Sequence, residues 1–171
     1  IHLAGGVPLD ALQSSGTSIG VAWPLQSFSA EQPVDWKLVP ICVEAANDPT
    51  ADQLIALMGQ LSNQVERVTP QQRMRLHLAA VFVNNFSNHL FHIGQELAAE
   101  ADMPFDLLRP LLAQTAEKAL RVNPSEAQTG PALRGDVSVL DRHLDQLSGH
   151  PSYQKIYNLV SESIRRLNAH D

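Results

Sequence analysis

The sequence predicts an incomplete α/β sheet unit over residues 1–69, followed by an all-helical domain over residues 70–171. Before residue 70, short apolar runs of strand length alternate with short helical patterns. After it the strand signals stop. Between the two, Thr69-Pro70-Gln71-Gln72 reads as a helix start: a threonine cap, a proline at the first helical position and a glutamine closing the box.

Taken in order, Ile1-His2-Leu3-Ala4 is strand-like and stops at Gly5-Gly6. Pro8 to Leu12 reads as a helical turn or two. Ser18 to Trp23 is a second strand, closed by Pro24. Val39 to Glu44 is a third, reached through a polar loop around Ser27 to Asp35. Asp48-Pro49 opens a helix in which Thr50 and Gln53 have capping-box spacing, and Leu54, Leu57, Met58 and Leu61 recur at helical intervals. Gln64 to Val68 is a last short strand. Alternation of this kind implies a mostly parallel sheet. Four short strands with one good helix would leave that sheet uncovered on one face.

From Pro70 an unbroken helical pattern runs to about Asp102, roughly eight or nine turns. Pro104 starts another helix, restarted near Pro110 and ending around Arg121, before a break at Asn123-Pro124-Ser125. Asp136 can cap a helix ending near Gly149, and Pro151 opens the final one.

Composition narrows the function classes. With 44% hydrophobic and 18% charged residues the chain can build a core and is not disordered. A net charge of −6 without a basic run argues against a nucleic-acid surface. The single cysteine, Cys42, excludes an internal disulfide and any multi-cysteine zinc site, and fits a reducing cytoplasm. There is no apolar stretch of membrane-spanning length and no signal segment, so a cytoplasmic protein without a membrane role is expected. Because the chain begins at Ile1, on residues that read as mid-strand, it is expected to be a fragment.

On the long helix, Leu76, Ala79, Ala80, Val83, Leu90, Gly94 and Leu97 share a core face, whose small residues would let another helix approach closely. About a third of a turn away lie His77, Asn84, Asn88, His92 and Gln95. This polar stripe is either a solvated or hydrogen-bonded helix surface, or the wall of a cleft. In the cleft reading the amides bind a ligand and His77 exchanges a proton. His89 and His92 are spaced i,i+3, but no carboxylate stands at matching spacing, so no metal site is expected.

A second constellation lies at Ala127 to Asp136. Gln128, Thr129 and a Gly130-Pro131 turn precede Arg134, which can hold a carboxylate or phosphate through two parallel hydrogen bonds. The alternative is a tight interhelical loop in which Arg134 pairs with a carboxylate and Asp136 caps a helix. His143, Tyr157 and Ser161 read as packed or partly exposed helix residues.

Leu76 to Phe86, together with Gln128-Thr129-Gly130-Pro131-Ala132 and Arg134-Gly135-Asp136, resembles a Rossmann-like oxidoreductase family with a helical C-terminal domain of unknown function. Its members are labelled NADP oxidoreductases, and it is related to the pyrroline-5-carboxylate reductase and 6-phosphogluconate dehydrogenase-like superfamily. His2 to Leu12 and Pro24 to Ser29 resemble that family's last Rossmann strands, so the likeness covers nearly the whole chain.

The resemblance implies a partial Rossmann sheet followed by a helical domain of the 6-phosphogluconate dehydrogenase C-terminal-like type, an NADP cofactor, and a homodimer formed through the helical domain. It also implies an N-terminal G-x-G-x-x-G segment whose amides bind the pyrophosphate. No such motif stands in this chain, and Gly5-Gly6, the one cofactor-side candidate, is too short to replace it. The chain alone is therefore expected to bind a dinucleotide poorly and to be inactive.

β-Hydroxyacid dehydrogenases of the same plan carry K-x-x-N-N on the long helix, with the lysine as acid/base. Here Asn84-Asn85 match, and Val81 fills the lysine slot. The expected site is therefore His77 as acid/base with Asn84 and Asn88 positioning a small anionic carbonyl or imine substrate, and Gln128, Thr129 and Arg134 binding it. The rival expectation is a non-catalytic ligand-binding or dimerisation module that keeps a dehydrogenase fold.

Overall fold

Two near-continuously apolar segments, Gly20-Val21-Ala22-Trp23-Pro24 and Ile41-Cys42-Val43-Glu44-Ala45, are buried along almost their whole length and form the middle of a three-stranded sheet. The structure, a computed structural model, describes residues 1–16, 18–29 and 31–167. Strands β1 (Gly20–Pro24), β2 (Ile41–Ala45) and β3 (Val65–Arg67) lie in that order. β1 runs antiparallel to β2, with Gly20 opposite Ala45 and Pro24 opposite Ile41, while β2 and β3 are parallel.

The sheet is thus mixed rather than mostly parallel, and the connections explain why. Among the described residues of the 25–40 connection the regular structure is a 3-10 turn, Trp36–Leu38, so the chain turns back at the same end of the sheet. Residues 46–64 hold helix α1 (Asp48–Met58), the crossover that a parallel pair requires. The expected strand at Ile1 to Ala4 is a single bridge. His2 N donates to Gly20 O and His2 O accepts from Ala22 N, both at 3.1 Å, while Ile1 and Leu3 are exposed.

α1 begins one turn before the box expected at Thr50 and Gln53. Its cap is Asn47, whose Oδ1 accepts from the backbone N (3.0 Å) and the hydroxyl (2.8 Å) of Thr50. With Pro49 in the first turn, the cap must precede Asp48. Thr50 is consequently a buried first-turn residue.

Both faces of the sheet are covered, against the expectation of one open face. α1 closes the first with Leu54 and Met58 over Ala22, Ile41 and Val43. Leu76 and Ala80 of α2 (Pro70–Ala80) close the second, together with Leu9, Leu25 and Val68, over Val21, Trp23 and Cys42. α2 starts as its sequence predicts. Thr69 Oγ1 accepts from Gln72 N at 3.2 Å, and Gln72 Oε1 accepts from Thr69 N at 2.8 Å.

Inside this second face lies a pair that the sequence pattern does not announce. Arg73 and Glu44 are 1% and 3% exposed, and Arg73 Nε donates to Glu44 Oε2 at 2.7 Å. The guanidinium also donates to the carbonyls of Gly5 and Ala4, so one side chain of α2 holds the segment before β1 and the end of β2.

Beyond α2 the helix continues, but not as unbroken α-helix. Val81–Phe86 forms a π-helical turn, in which Ser87 Oγ donates to Phe82 O at 3.2 Å, and α3 (Ser87–Glu100) follows. Asp102, at φ 54°, ends it in the left-handed conformation, with Met103 N returning to Ala98 O at 2.9 Å.

The chain divides into two compact units within this helix, Ile1–Leu90 and Phe91–Asp171. After a 3-10 turn at Phe105–Leu107, the second unit adds α4 (Arg109–Arg121), the one-turn helices α5 (Pro124–Ala127) and α6 (Pro131–Arg134), then α7 (Val137–Gln146) and α8 (Pro151–Leu167). Ala132, Leu140 and Leu147 are its buried apolar centre, with Ile93 from α3. None of the helices among the described residues is long and apolar enough to cross a membrane.

Candidate functional site

In the sheet unit, the end of β1 and the α2–π segment enclose a cleft of about 570 Å³. Trp23, Leu25, Gln26 and Ser27 form one wall; Leu76, His77, Ala80, Val81, Asn84 and Asn85 contribute to the other. His77, half-buried, meets the Trp23 indole edge to face, with ring centroids 5.6 Å apart at 75°. The π turn carries both asparagines. π-Turns of this kind recur at functional sites because they release a carbonyl and re-aim the side chains beside it.

His77, Asn84 and Val81 are thus brought to one cleft. Asn85, which the K-x-x-N-N comparison includes, lies there too. Asn88 does not line it and stands exposed on α3. Among the described residues neither the imidazole nitrogens of His77 nor the side-chain amides of Asn84 and Asn85 have a hydrogen-bond partner within the chain. They are available to a ligand.

Gly5 lies inside the fold. A β-carbon on it would stand 2.5 Å from a Trp23 ring carbon, and its carbonyl accepts from Arg73. Its neighbour Gly6 is exposed and faces the site, since a β-carbon there would lie 3.0 Å from His77 Nε2. Cys42, opposite Trp23 in the sheet, is buried: burial pushes its thiol pKa up, and the nearby Glu66 charge adds to that, which disfavours the reactive thiolate.

The second constellation belongs to the helical unit. Gln128 and Thr129 line a shallow recess with Gln114, Thr115 and Lys118, whose Nζ donates to Ala127 O at 3.0 Å. Gly130 at φ 107° and Gly135 at φ 69° shape the loop around α6, conformations that a side chain would oppose. Asp136 caps α7 by accepting from Val139 N at 3.4 Å. Arg134 is exposed at the end of α6 and makes no ion pair among the described residues.

Elsewhere in this unit His143 Nδ1 and Tyr157 Oη lie 2.8 Å apart, Tyr153 donates to Glu96, and His150 Nε2 sits 2.9 Å from Glu100. The bond to Glu96 pushes the Tyr153 phenol pKa up. Among the described residues no group of three or more His, Cys, Asp or Glu is arranged to hold a metal ion.

Sequence reasoning missed Gln26 and Ser27 as cleft residues, and Arg73 as the buried side chain that ties Ala4 and Gly5 to Glu44. A signal existed for Arg73: it precedes His77 by one helical turn, on the face that carries Leu76 and Ala80, where a charge needs a buried partner.

The profile of a family described as domain of unknown function (DUF2520) matches residues 39–164. Among solved structures, the chain is similar to a "putative NADP oxidoreductase" from Bacteroides fragilis, at 39% identity and a TM-score of 0.88 over 96% of this chain. It spans 64% of the length of that protein. It is also similar to a protein from Thermotoga maritima, at 18% identity and a TM-score of 0.78, covering 97% of this chain and 67% of that one, a likeness that speaks to the fold alone. No curated protein matches the chain. The fold is accordingly a partial Rossmann-like sheet followed by a mostly helical segment.

Proposed function

The chain belongs to the DUF2520 family, and from that premise we propose that it is the substrate-side part of an NADP-dependent oxidoreductase acting on a small carbonyl or imine compound. One observation carries the reading: His77, Asn84 and Asn85 meet in a single cleft against Trp23, with their polar atoms free for a ligand.

The residues present fit one end of the cofactor only. A cleft walled by an indole and neutral amides, with the exposed Gly6 beside it, suits a nicotinamide ring and its carboxamide. It holds no cation and no helix N-terminus for a pyrophosphate. When bound, the cofactor supplies the hydride. The chain's own residues do the rest: His77 Nε2 or Nδ1 gives a proton to the carbonyl oxygen or imine nitrogen as it is reduced, and takes one back in the reverse direction. Asn84 and Asn85 hydrogen-bond the substrate beside the reacting carbon, with Asn88 farther along the helix. Trp23 and Leu76 keep water from one side.

In the helical unit, taken by itself, Gln128, Thr129 and Arg134 are the substrate-binding candidates, with Arg134 able to hold a carboxylate or phosphate. The partner is a second copy of the chain, joined through the helical unit. Gly5 serves by packing against Trp23, which sets the Gly6 backbone beside His77.

The test is NADPH oxidation by the full-length protein across carbonyl and imine compounds. His77→Ala should lower kcat by about 100-fold or more, the loss of a general acid, with a smaller change in KM. A rate indifferent to that substitution rules out the role given to His77. Val81, where related enzymes carry lysine, favours a second reading, a ligand sensor that keeps the fold. Saturable ligand binding by the full-length protein without turnover would establish it.

A further inference from the structure

Among the described residues, the cleft beside His77 is lined by no carboxylate, ammonium or guanidinium. Its twelve lining residues include neither Asp nor Glu, neither Lys nor Arg. Its hydrogen-bonding groups are the amides of Gln26, Asn84 and Asn85, the Ser27 hydroxyl and the His77 imidazole.

The cation that could have served it is turned away. Arg73 stands one helical turn before His77, yet it is 1% exposed, ion-paired with Glu44 and bonded to the carbonyls of Ala4 and Gly5. Arg75 lies on another side of α2, in a separate shallow recess with Met74 and Leu78. The cleft is also beside the middle of a long helix, where the backbone dipole offers no net charge.

We propose that the substrate group received beside His77 is uncharged. It is an amide- or hydroxyl-bearing carbonyl compound, in which the carbon next to the reacting one carries no carboxylate. A 2-oxo acid places its carboxylate one bond, about 1.5 Å, from the reacting carbon. Such a substrate would bring a negative charge among neutral amides where no Lys or Arg meets it. His77, the one lining group that can carry a positive charge, gives that charge up with its proton at the reacting oxygen or nitrogen. Desolvating an unpaired charge is costly. Amides and hydroxyls, by contrast, can both donate to and accept from Gln26, Ser27, Asn84 and Asn85. Any acidic group of the substrate therefore sits away from its reacting end. This deepens the oxidoreductase reading and rests on the cleft being its substrate site.

The chain carries its own reporter. It has two tryptophans, and Trp36 stacks on Phe28 outside the cleft, so Trp36→Phe leaves Trp23 as the single emitter. Titrating that variant with pyruvamide and with pyruvate compares an amide and an acid on one skeleton. Pyruvamide should quench or shift Trp23 emission with an apparent affinity roughly tenfold or more above that of pyruvate. Asn84→Ala should weaken the amide. Asn84→Lys, at an exposed position that leaves the fold alone, should invert the preference.

Pyruvate binding as tightly as pyruvamide overturns the inference, as does silence from both at tens of millimolar. The two readings fail separately. An amide preference in this chain with no turnover by the full-length protein removes the enzyme and keeps the uncharged cleft. An acid preference with His77-dependent turnover does the reverse.

Discussion

The two units of the chain bury their apolar residues very differently. In the sheet unit, Val21, Ala22, Ile41, Val43 and Ala51 are essentially inaccessible, with helices over both faces and a charged pair sealed inside. Among the described residues the helical unit buries Ile93, Ala132, Leu140 and Leu147 and no other apolar side chain, while Leu120, Leu159, Leu107 and Leu111 stand 87, 68, 59 and 59% exposed. The difference teaches that the sheet unit closes a core of its own, whereas the helical unit buries few apolar residues and presents leucines that suit an interface. Exposed apolar residues are not confined to it, since Leu38, Phe82 and Val83 of the sheet unit stand 73, 60 and 78% exposed.

The sharpest way to break that picture is Arg73→Met. It leaves Glu44 buried, with Oε1 already lacking a partner among the described residues, and removes the group that meets Oε2. Breaking one side of a buried pair costs about 3–5 kcal/mol. Chemical denaturation should show that loss, and the companion variant Arg73→Met with Glu44→Leu should recover most of it. A loss below about 1 kcal/mol would mean that the sheet unit is not held by this pair.

This pair also marks where sequence reading stops. Caps and prolines announced themselves, because a helix start is written in four consecutive residues: Thr69 to Gln72 behave as read, and so does Asp136. Strand direction did not, since it depends on whether the connection forms a helix, and residues 25–40 read simply as a loop. Asn47 was passed over as a cap because Thr50 and Gln53 fit the same spacing one turn on. Of the candidate site, helical period put His77 and Asn84 on one side, and the structure brings them to one cleft. Gln26 and Ser27 arrive from another element, and the period of one helix holds no record of its neighbours.

A second test bears on the helical surplus. If the unit is completed by a second copy, as we propose, light scattering at micromolar concentration should give twice the chain mass. Leu159→Glu, a charge on an exposed apolar position of α8, should weaken that dimer by tenfold or more, about 1.4 kcal/mol, without unfolding the chain. A monomeric native mass, or a dimer indifferent to the charge, would leave the exposed leucines to some other partner.

The smallest expected effect separates the two units most cleanly. Thr69 and Asp136 are both helix caps, one in each unit, but their geometry differs. Thr69 takes part in two reciprocal bonds of 3.2 and 2.8 Å, whereas Asp136 accepts from Val139 N at 3.4 Å and shares that oxygen with the Ser138 hydroxyl. Thr69→Ala should therefore cost about 1 kcal/mol and Asp136→Ala roughly half of that. If the units unfold independently, each substitution moves only one of two transitions in a denaturant titration. If Thr69→Ala moves both equally, the long helix that begins at its cap couples the units, and the self-sufficient sheet unit inferred from burial is a property of the pair.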